Sequence, residues 1–272
     1  MTIKNVSNAS TASFKRMNYV FLSCFSFGLL LSCSDDSPSD EFEEANGDVA
    51  KKYITQLAIE STDSPEDDVT FQFNYDANGR LITVSNQDGE QTLEYQNGKL
   101  SNVSGDGQDP FNIEELYQSP YDAFETGHVE EYDDNGNPYK IILNEEKYVS
   151  ATDGYVVVEI TAEITYDNVH SPYYYTLESA GIIDVMDKVE FNFNMTPQNS
   201  DIVKAKALFP VNNPTKIVYK DENGVPSHQI DVTYEYDAEK YPITATVVST
   251  SLEEDESDRE VYTYTTHYSY KK

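Results

Sequence analysis

Residues 71–84, Phe-Gln-Phe-Asn-Tyr-Asp-Ala-Asn-Gly-Arg-Leu-Ile-Thr-Val, constrain this chain more than any other stretch, because degraded copies of them recur almost to the C-terminus. Val69, Phe71, Phe73 and Tyr75 alternate with Thr70, Gln72 and Asn74. A period of two puts one row on a buried sheet face and the other in water. Asp76-Ala77-Asn78-Gly79 then supplies a turn, since an Asp side chain can bond the backbone that follows it and Gly takes a positive φ at no steric cost. Arg80 to Val84 can pair back. Iterated, this strand-turn-strand unit builds an antiparallel β-meander.

The copies are explicit. Tyr95-Gln96-Asn97-Gly98-Lys99-Leu100 is a shorter version whose Asn-Gly tip suits a type I′ hairpin turn. Tyr132-Asp133-Asp134-Asn135-Gly136-Asn137-Pro138 and Tyr219-Lys220-Asp221-Glu222-Asn223-Gly224-Val225-Pro226 keep Asn-Gly and add a Pro two residues on. Tyr236-Asp237-Ala238-Glu239-Lys240-Tyr241-Pro242 keeps Tyr-Asp and Pro but has Lys240 in place of Gly, so a different turn is expected there. The recurring Pro falls at the first residue of the return strand, where a missing N–H does least harm. The spacing of the copies is irregular, which argues against a strictly periodic solenoid or propeller.

Residues 1–32 read as a signal peptide and stay outside the fold. Lys15 and Arg16 give a positive flank, Met17 to Leu31 an apolar run too short for a comfortable membrane span, and Leu30-Leu31-Ser32-Cys33 closes it. That tetrapeptide resembles the lipobox of bacterial lipoproteins; the alternatives are a plain secretory signal with an incidental Cys, or an uncleaved anchor. The resemblance implies that Cys33 is the acylated first residue of the mature chain, with more than one acyl chain giving stable anchoring. Ser34-Asp35-Asp36 follows at once and is similar to the acidic export signal that sends some Gram-negative lipoproteins to the cell surface. The resemblance implies an outer-membrane lipoprotein on the cell surface, with a periplasm-facing lipoprotein as the alternative. Self-repelling charge between residues 33 and 50 is expected to give a disordered acidic tether, leaving residues 51–272 as a single β-meander domain.

Charge restricts the partners. Lys4, Lys15 and Arg16 leave with the signal and no acid does, which takes the formal net charge from −31 to −34. Nucleic acid and anionic headgroups are poor partners for such a surface. The chain has two cysteines: Cys24 leaves and Cys33 would be alkylated, so no disulfide, thiolate nucleophile or thiolate metal site is expected. Stability then rests on burial, and a domain of roughly 220 residues can bury about 70 % of its unfolded surface without staples.

In chain order, residues 51–60 read as a strand with Tyr53, Thr55, Leu57 and Ile59 on one side. Two hairpins follow, then a long insertion from Gly105 to Gly127 with Pro110 and Pro120. The longest clean strand is Tyr155 to Tyr166, with Val156, Val158, Ile160, Ala162, Ile164 and Tyr166 on its core side. Thr176 to Asp187 is the one segment read as a short helix, a cap over an open end of the sheet. Alternation returns at Val189 to Met195 and from Asn212 onward. The fold class is therefore all-β, an antiparallel meander of about 10–12 strands forming an open curved sheet or partial barrel with one short capping helix.

The Tyr-Asp-x-x-Gly-Arg-Leu unit resembles the YD repeat of Rhs-type proteins. The C-terminal third, from Asn213-Pro214-Thr215-Lys216-Ile217 through Tyr236-Asp237 and Tyr241-Pro242, is similar to an uncharacterised-domain family of bacterial outer-membrane or surface lipoproteins with a porin-like β-meander. That resemblance implies a fold and a location, and no activity.

Catalytic signals are weak. His128, His170, His228 and His267 are scattered, with no His-Glu-x-x-His pair and no Gly-x-Ser-x-Gly elbow. Glu159 and Glu163 share a strand face, the residue type a glycosidase uses, but the chain holds 49 acids and adjacency by chance is the simpler account. Asp133 to Asn137 and Gly105 to Asp109 offer calcium-type oxygens, yet turn chemistry alone demands the same residues. The aromatics, with 22 Tyr and no Trp, give the positive hint of a ligand. Tyr262, Tyr264, Tyr268 and Tyr270 share one face of the last strand, where cross-strand pairing accounts for them. Tyr173, Tyr174 and Tyr175, read as a loop, form the candidate ligand platform.

The sequence thus predicts a lipid-anchored, non-enzymatic binding or envelope-structural module. The expected partners are the membrane through its anchor and a glycan or protein ligand, with no nucleic acid and no cofactor. A surface glycan-processing enzyme is the alternative. A membrane-spanning barrel is disfavoured because alternate strand positions are too acidic to face lipid.

Overall fold

A computed structural model of the chain describes residues 38–105, 128–149, 154–186, 190–192, 202–204, 210–252 and 259–271. The alternating segments form one twelve-stranded antiparallel sheet. Its strands are β1 (Tyr53–Ser61), β2 (Val69–Tyr75), β3 (Leu81–Asn86), β4 (Gly89–Gln96), β5 (Lys99–Gly105), β6 (His128–Tyr132), β7 (Pro138–Val149), β8 (Gly154–His170), β11 (Asn212–Lys220), β12 (Pro226–Tyr236), β13 (Pro242–Ser251) and β14 (Val261–Lys271). β9 (Glu190–Asn192) and β10 (Ile202–Lys204) form a separate two-stranded ribbon. α1 (Pro38–Asn46) precedes the sheet, and α2 (Tyr174–Ala180) and α3 (Ile182–Met186) follow β8.

The spatial order is β5-β4-β3-β2-β1-β14-β13-β12-β11-β8-β7-β6. The first strand lies beside the last, with Tyr53 opposite Lys271 and Ser61 opposite Tyr264. The result is an open up-and-down meander in cyclic chain order, cut between β5 and β6, as the alternation predicted. We call the rim where β1 begins and β14 ends the lower rim. The turns β2–β3, β4–β5, β6–β7 and β12–β13 lie on it, together with the end of β8 and the start of β11.

Four turns share one construction. The carboxylate of Asp76 accepts the N–H of Asn78 and of Arg80, both at 2.9 Å, and Asp133, Asp221 and Asp237 repeat the pattern two and four residues on. Gly79, Gly136 and Gly224 supply the positive φ this turn needs. Lys240 adopts φ +63° at the same position, so the different turn expected there is not found. Its N–H still bonds the Asp237 carbonyl, and buried Tyr241 next to it holds the strained backbone in place. Replacing Lys240 by Gly should therefore raise stability by about 0.5–1 kcal/mol in chemical denaturation, while Lys240→Ala should not. Asn97 and Gly98 have φ +53° and +79°, the type I′ tip the sequence predicted.

Tyrosines lace the meander together. Each strand that runs down to the lower rim beside its predecessor carries a tyrosine whose phenol donates to a backbone carbonyl of that predecessor. The pairs are Tyr75 to Ile54 (2.6 Å), Tyr95 to Leu81, Tyr166 to Pro138 (2.8 Å), Tyr234 to Pro214 (3.0 Å) and Tyr270 to Pro242 (2.7 Å). Burial pushes the Tyr75 and Tyr95 phenols up to about 12, so both remain donors. Much of the skewed tyrosine usage is thus structural.

The inner face is apolar from β1 across β5 and β12, with Leu57, Phe73, Leu81, Leu93, Ile230 and Val247 buried along it. A second cluster fills the lower rim: Phe42 of α1, Tyr174 and Tyr175 of α2, Ile183 of α3, Val129 of β6, Val211 and Tyr241. The helices meet both sheet edges. Ile183 and Phe42 share this cluster with Val129 on β6, and a Cβ on Gly181, between α2 and α3, would lie 3.5 Å from Leu100 Cβ on β5. The sheet therefore curls round a helical plug.

Several expectations are corrected. The tether expected over residues 33–50 is helical from Pro38: Pro at the first position and Asp40 and Glu41 in the first turn start α1, and Phe42 at 1 % exposure locks it into the core. The single helix over Thr176–Asp187 is two, because Gly181 (φ +75°) caps α2 with its N–H on the Glu178 carbonyl. In β1 a register shift between Ile54 and Gln56 changes phase, so Ile54, not Thr55, joins Leu57 and Ile59 inside. Val156 of β8 is 43 % exposed, because β8 overruns the strand beside it. The Gly105–Gly127 insertion lies outside the described residues beyond Gly105.

Candidate functional site

The lower rim concentrates the buried polar chemistry. Asn137, Asn212 and Asn213 are at most 2 % exposed. Asn137 Oδ1 accepts the N–H groups of Val211 (2.9 Å) and Asn212 (3.1 Å), while its Nδ2 donates to the Asp133 carboxylate (2.9 Å) and to Asn212 Oδ1 (2.8 Å). Asn212 Nδ2 donates to Asn46 Oδ1 (3.1 Å) and to the Val169 carbonyl (3.2 Å), and Asn46 Nδ2 donates to the Val211 carbonyl (3.0 Å). Asp167 accepts from the Asn213 backbone (3.2 Å) and from the Tyr236 phenol. One network thus ties the last residue of α1 to the β6–β7 turn, the end of β8 and the start of β11. These atoms satisfy one another. The arrangement is a clamp, and a buried network of this kind is strong only when complete.

Beside it, Lys52 is 5 % exposed and pairs with Asp237 and with Glu239 (2.9 Å), its Nζ 5.0 Å from the Tyr241 ring centroid. Burial works against both charges, but the Lys52 ammonium and two turn N–H groups hold the Asp237 carboxyl below its usual range. Tyr241 donates to the Ala50 carbonyl (2.7 Å), which closes the entry to β1.

His170, 4 % exposed, meets the Tyr241 ring edge-on at 4.4 Å. Burial lowers its pKa to about 4. The unfolded chain takes up this proton near pH 6.5 and the folded chain only near 4, so stability is intact above about 6.5 and falls as pH drops to about 4, by about 3 kcal/mol. Denaturation midpoints measured from pH 7 to 4 should show that slope, and His170→Phe should remove most of it.

Cys33, Ser34, Asp35 and Asp36 lie outside the described residues. The Tyr173–Tyr175 platform does not form as expected. Tyr174 (2 % exposed) and Tyr175 (8 %) belong to the core, Tyr174 stacked on Phe42 at 3.7 Å, and half-buried Tyr173 has its hydroxyl 3.4 Å from that of Tyr268. The segment is helical, so residues read as a loop turn inward. Of the last-strand tyrosines, Tyr264 is buried and Tyr262, Tyr268 and Tyr270 pack against the core. Glu163 pairs with Lys220, and Glu159 is exposed. The Asp133 carboxylate is used by its own turn, and among the described residues no three His, Cys, Asp or Glu side chains gather as a metal site. The asparagine clamp went unread because Asn137, Asn212 and Asn213 are ordinary turn residues in sequence. The Asn-Pro dipeptides at 137–138 and 213–214 are its trace in the sequence.

No family model matches the chain, and no curated protein matches it in sequence. Among solved structures it is similar to a porin-like protein from Bacteroides uniformis (12 % identity, TM-score 0.37, 80 % of this chain and 98 % of that one). A porin-like protein from Bacteroides vulgatus gives 10 % identity and a TM-score of 0.31 over 80 % and 99 %. A protein domain assigned to outer membrane lipoprotein sorting, from Vibrio parahaemolyticus, gives 10 % identity and 0.27 over 85 % and 88 %. Likenesses this distant carry no argument about function.

Proposed function

We propose that the chain is a lipoprotein of the outer membrane, anchored through Cys33 and displayed on the cell surface, whose β-meander is a non-enzymatic binding or envelope-structural module. The observation that carries this reading is the join between anchor and domain. Leu30-Leu31-Ser32-Cys33 ends the apolar run, and α1, clamped into the lower rim, begins at Pro38. Five Cα steps separate Cys33 from Pro38, a reach of at most about 18 Å. The lower rim is thereby held against the bilayer and the opposite, upper rim faces outward. The acidic stretch Ser34-Asp35-Asp36 supports display at the surface, and the polar clamp explains how so short a leash keeps one orientation.

Mass spectrometry of the mature N-terminal peptide tests the anchor. An acylated Cys33 as residue one is expected, with Cys33→Ser moving the protein from the membrane fraction to the soluble one. An unmodified Cys33, or a Cys33→Ser protein that stays in the membrane, would end the proposal.

A further inference from the structure

β7 and β8 outrun the sheet. β6 pairs with β7 as far as Ile142, and β11 pairs with β8 only from Thr161. Residues 143–149 and 154–160 continue the ladder with each other, from Leu143 opposite Ile160 to Val149 opposite Gly154. Among the described residues they have no third strand. They form a two-stranded arm at the upper rim, and its β8 half is apolar on both faces: Tyr155 is 68 % exposed, Val156 43 % and Val157 57 %. Successive strand residues point to opposite faces, so both faces of the arm present exposed apolar side chains there. Val225, 57 % exposed, lies in the turn just beyond Lys220, whose partner on β8 is Thr161. An exposed apolar strand with an open backbone edge is a template for strand addition, and folded proteins normally blunt such edges.

We propose that the β8 edge of this arm, residues 154–160, receives an extended segment of a basic protein partner, which adds as a strand in line with β11 and abuts the turn Asp221–Val225. The charge assigns the partner's sign. Glu159 on the edge and Asp221 and Glu222 in the turn are acidic, on a chain of formal net charge −31. The incoming strand therefore alternates apolar residues with Lys or Arg. A second copy of this chain fits poorly. Parallel pairing in register sets Glu159 beside Glu159. Antiparallel pairing points the two lower rims in opposite directions, which one membrane leaflet does not allow; this last step rests on the anchor proposed above.

Full-length protein in detergent, titrated with a fluorescent nonapeptide alternating valine and lysine, tests the proposal. Saturable binding is expected, at least tenfold weaker in 500 mM than in 50 mM salt. It should weaken at least tenfold in Val157→Lys, and also when alternate peptide nitrogens are methylated, because strand addition uses the backbone. Val157 is exposed, so the variant should keep the parent's thermal midpoint. No binding at millimolar peptide, equal binding of the valine-glutamate counterpart, or equal binding by Val157→Lys would each overturn the proposal. So would self-association in ultracentrifugation that Val157→Lys abolishes, which would make the occupant a second copy. The same titration on Cys33→Ser protein should give the same result, so a failed anchor and a failed arm are told apart.

Discussion

Asn137→Ala should destabilise the domain by about 3–5 kcal/mol, among the largest losses open to a single polar substitution. Asn137 is fully buried, and its side chain serves two backbone N–H groups, the Asp133 carboxylate and Asn212. Truncation leaves each of these buried groups short of a partner, at about 1–3 kcal/mol apiece before relaxation. The comparison is Asn78, in the equivalent turn between β2 and β3, which is exposed and bonds only its own turn through its backbone. Asn78→Ala should cost under about 0.5 kcal/mol. In a domain of this size the difference is about 6–20 °C in thermal midpoint.

Phe42→Ala should cost a similar amount, about 3–5 kcal/mol. Phe42 is 1 % exposed, stacked on Tyr174 and edge-on to Tyr175 at 5.7 Å. A nine-residue helix has little stability of its own, so α1 stands on this ring and on the Asn46 bonds. Removing the ring should release α1 from the lower rim, seen as faster amide exchange over residues 38–46 ahead of the sheet. A loss below about 1 kcal/mol would mean that this segment is the loose tether its acidity suggests.

That segment marks where the sequence is legible and where it is not. The meander is written in local rules: alternation sets each strand's faces, and the Asp-x-x-Gly corners and prolines punctuate them, so the hairpins at residues 76–80 and 97–98 form as read. Three features depend on distant partners and escaped. Residues 38–46 carry four acids and one Phe, and composition alone gives no sign that Phe42 has Tyr174 to stack on. Tyr173–Tyr175 read as an exposed loop because their helix is short and its pattern weak, and its inward face exists only once the sheet has curled round it. Asn137 lies 75 residues before Asn212, and the two meet only across the rim. Lys240 differs from expectation for a related reason: local sterics argue against a positive φ, and the Tyr241 and Lys52 contacts override them.

The proposed anchor fixes an orientation, with the lower rim at the membrane and the upper rim facing outward from the cell. With the signal peptide removed and Cys33 acylated, as proposed, no free thiol remains, so Asp88→Cys in the exposed β3–β4 turn of the upper rim and Glu44→Cys on α1 each add one reactive thiol. Intact cells treated with a membrane-impermeant maleimide should label the Asp88→Cys protein rapidly and the Glu44→Cys protein several-fold more slowly. Labelling of neither until the cells are broken would place the domain inside the envelope, and equal rates at both positions would contradict the fixed orientation.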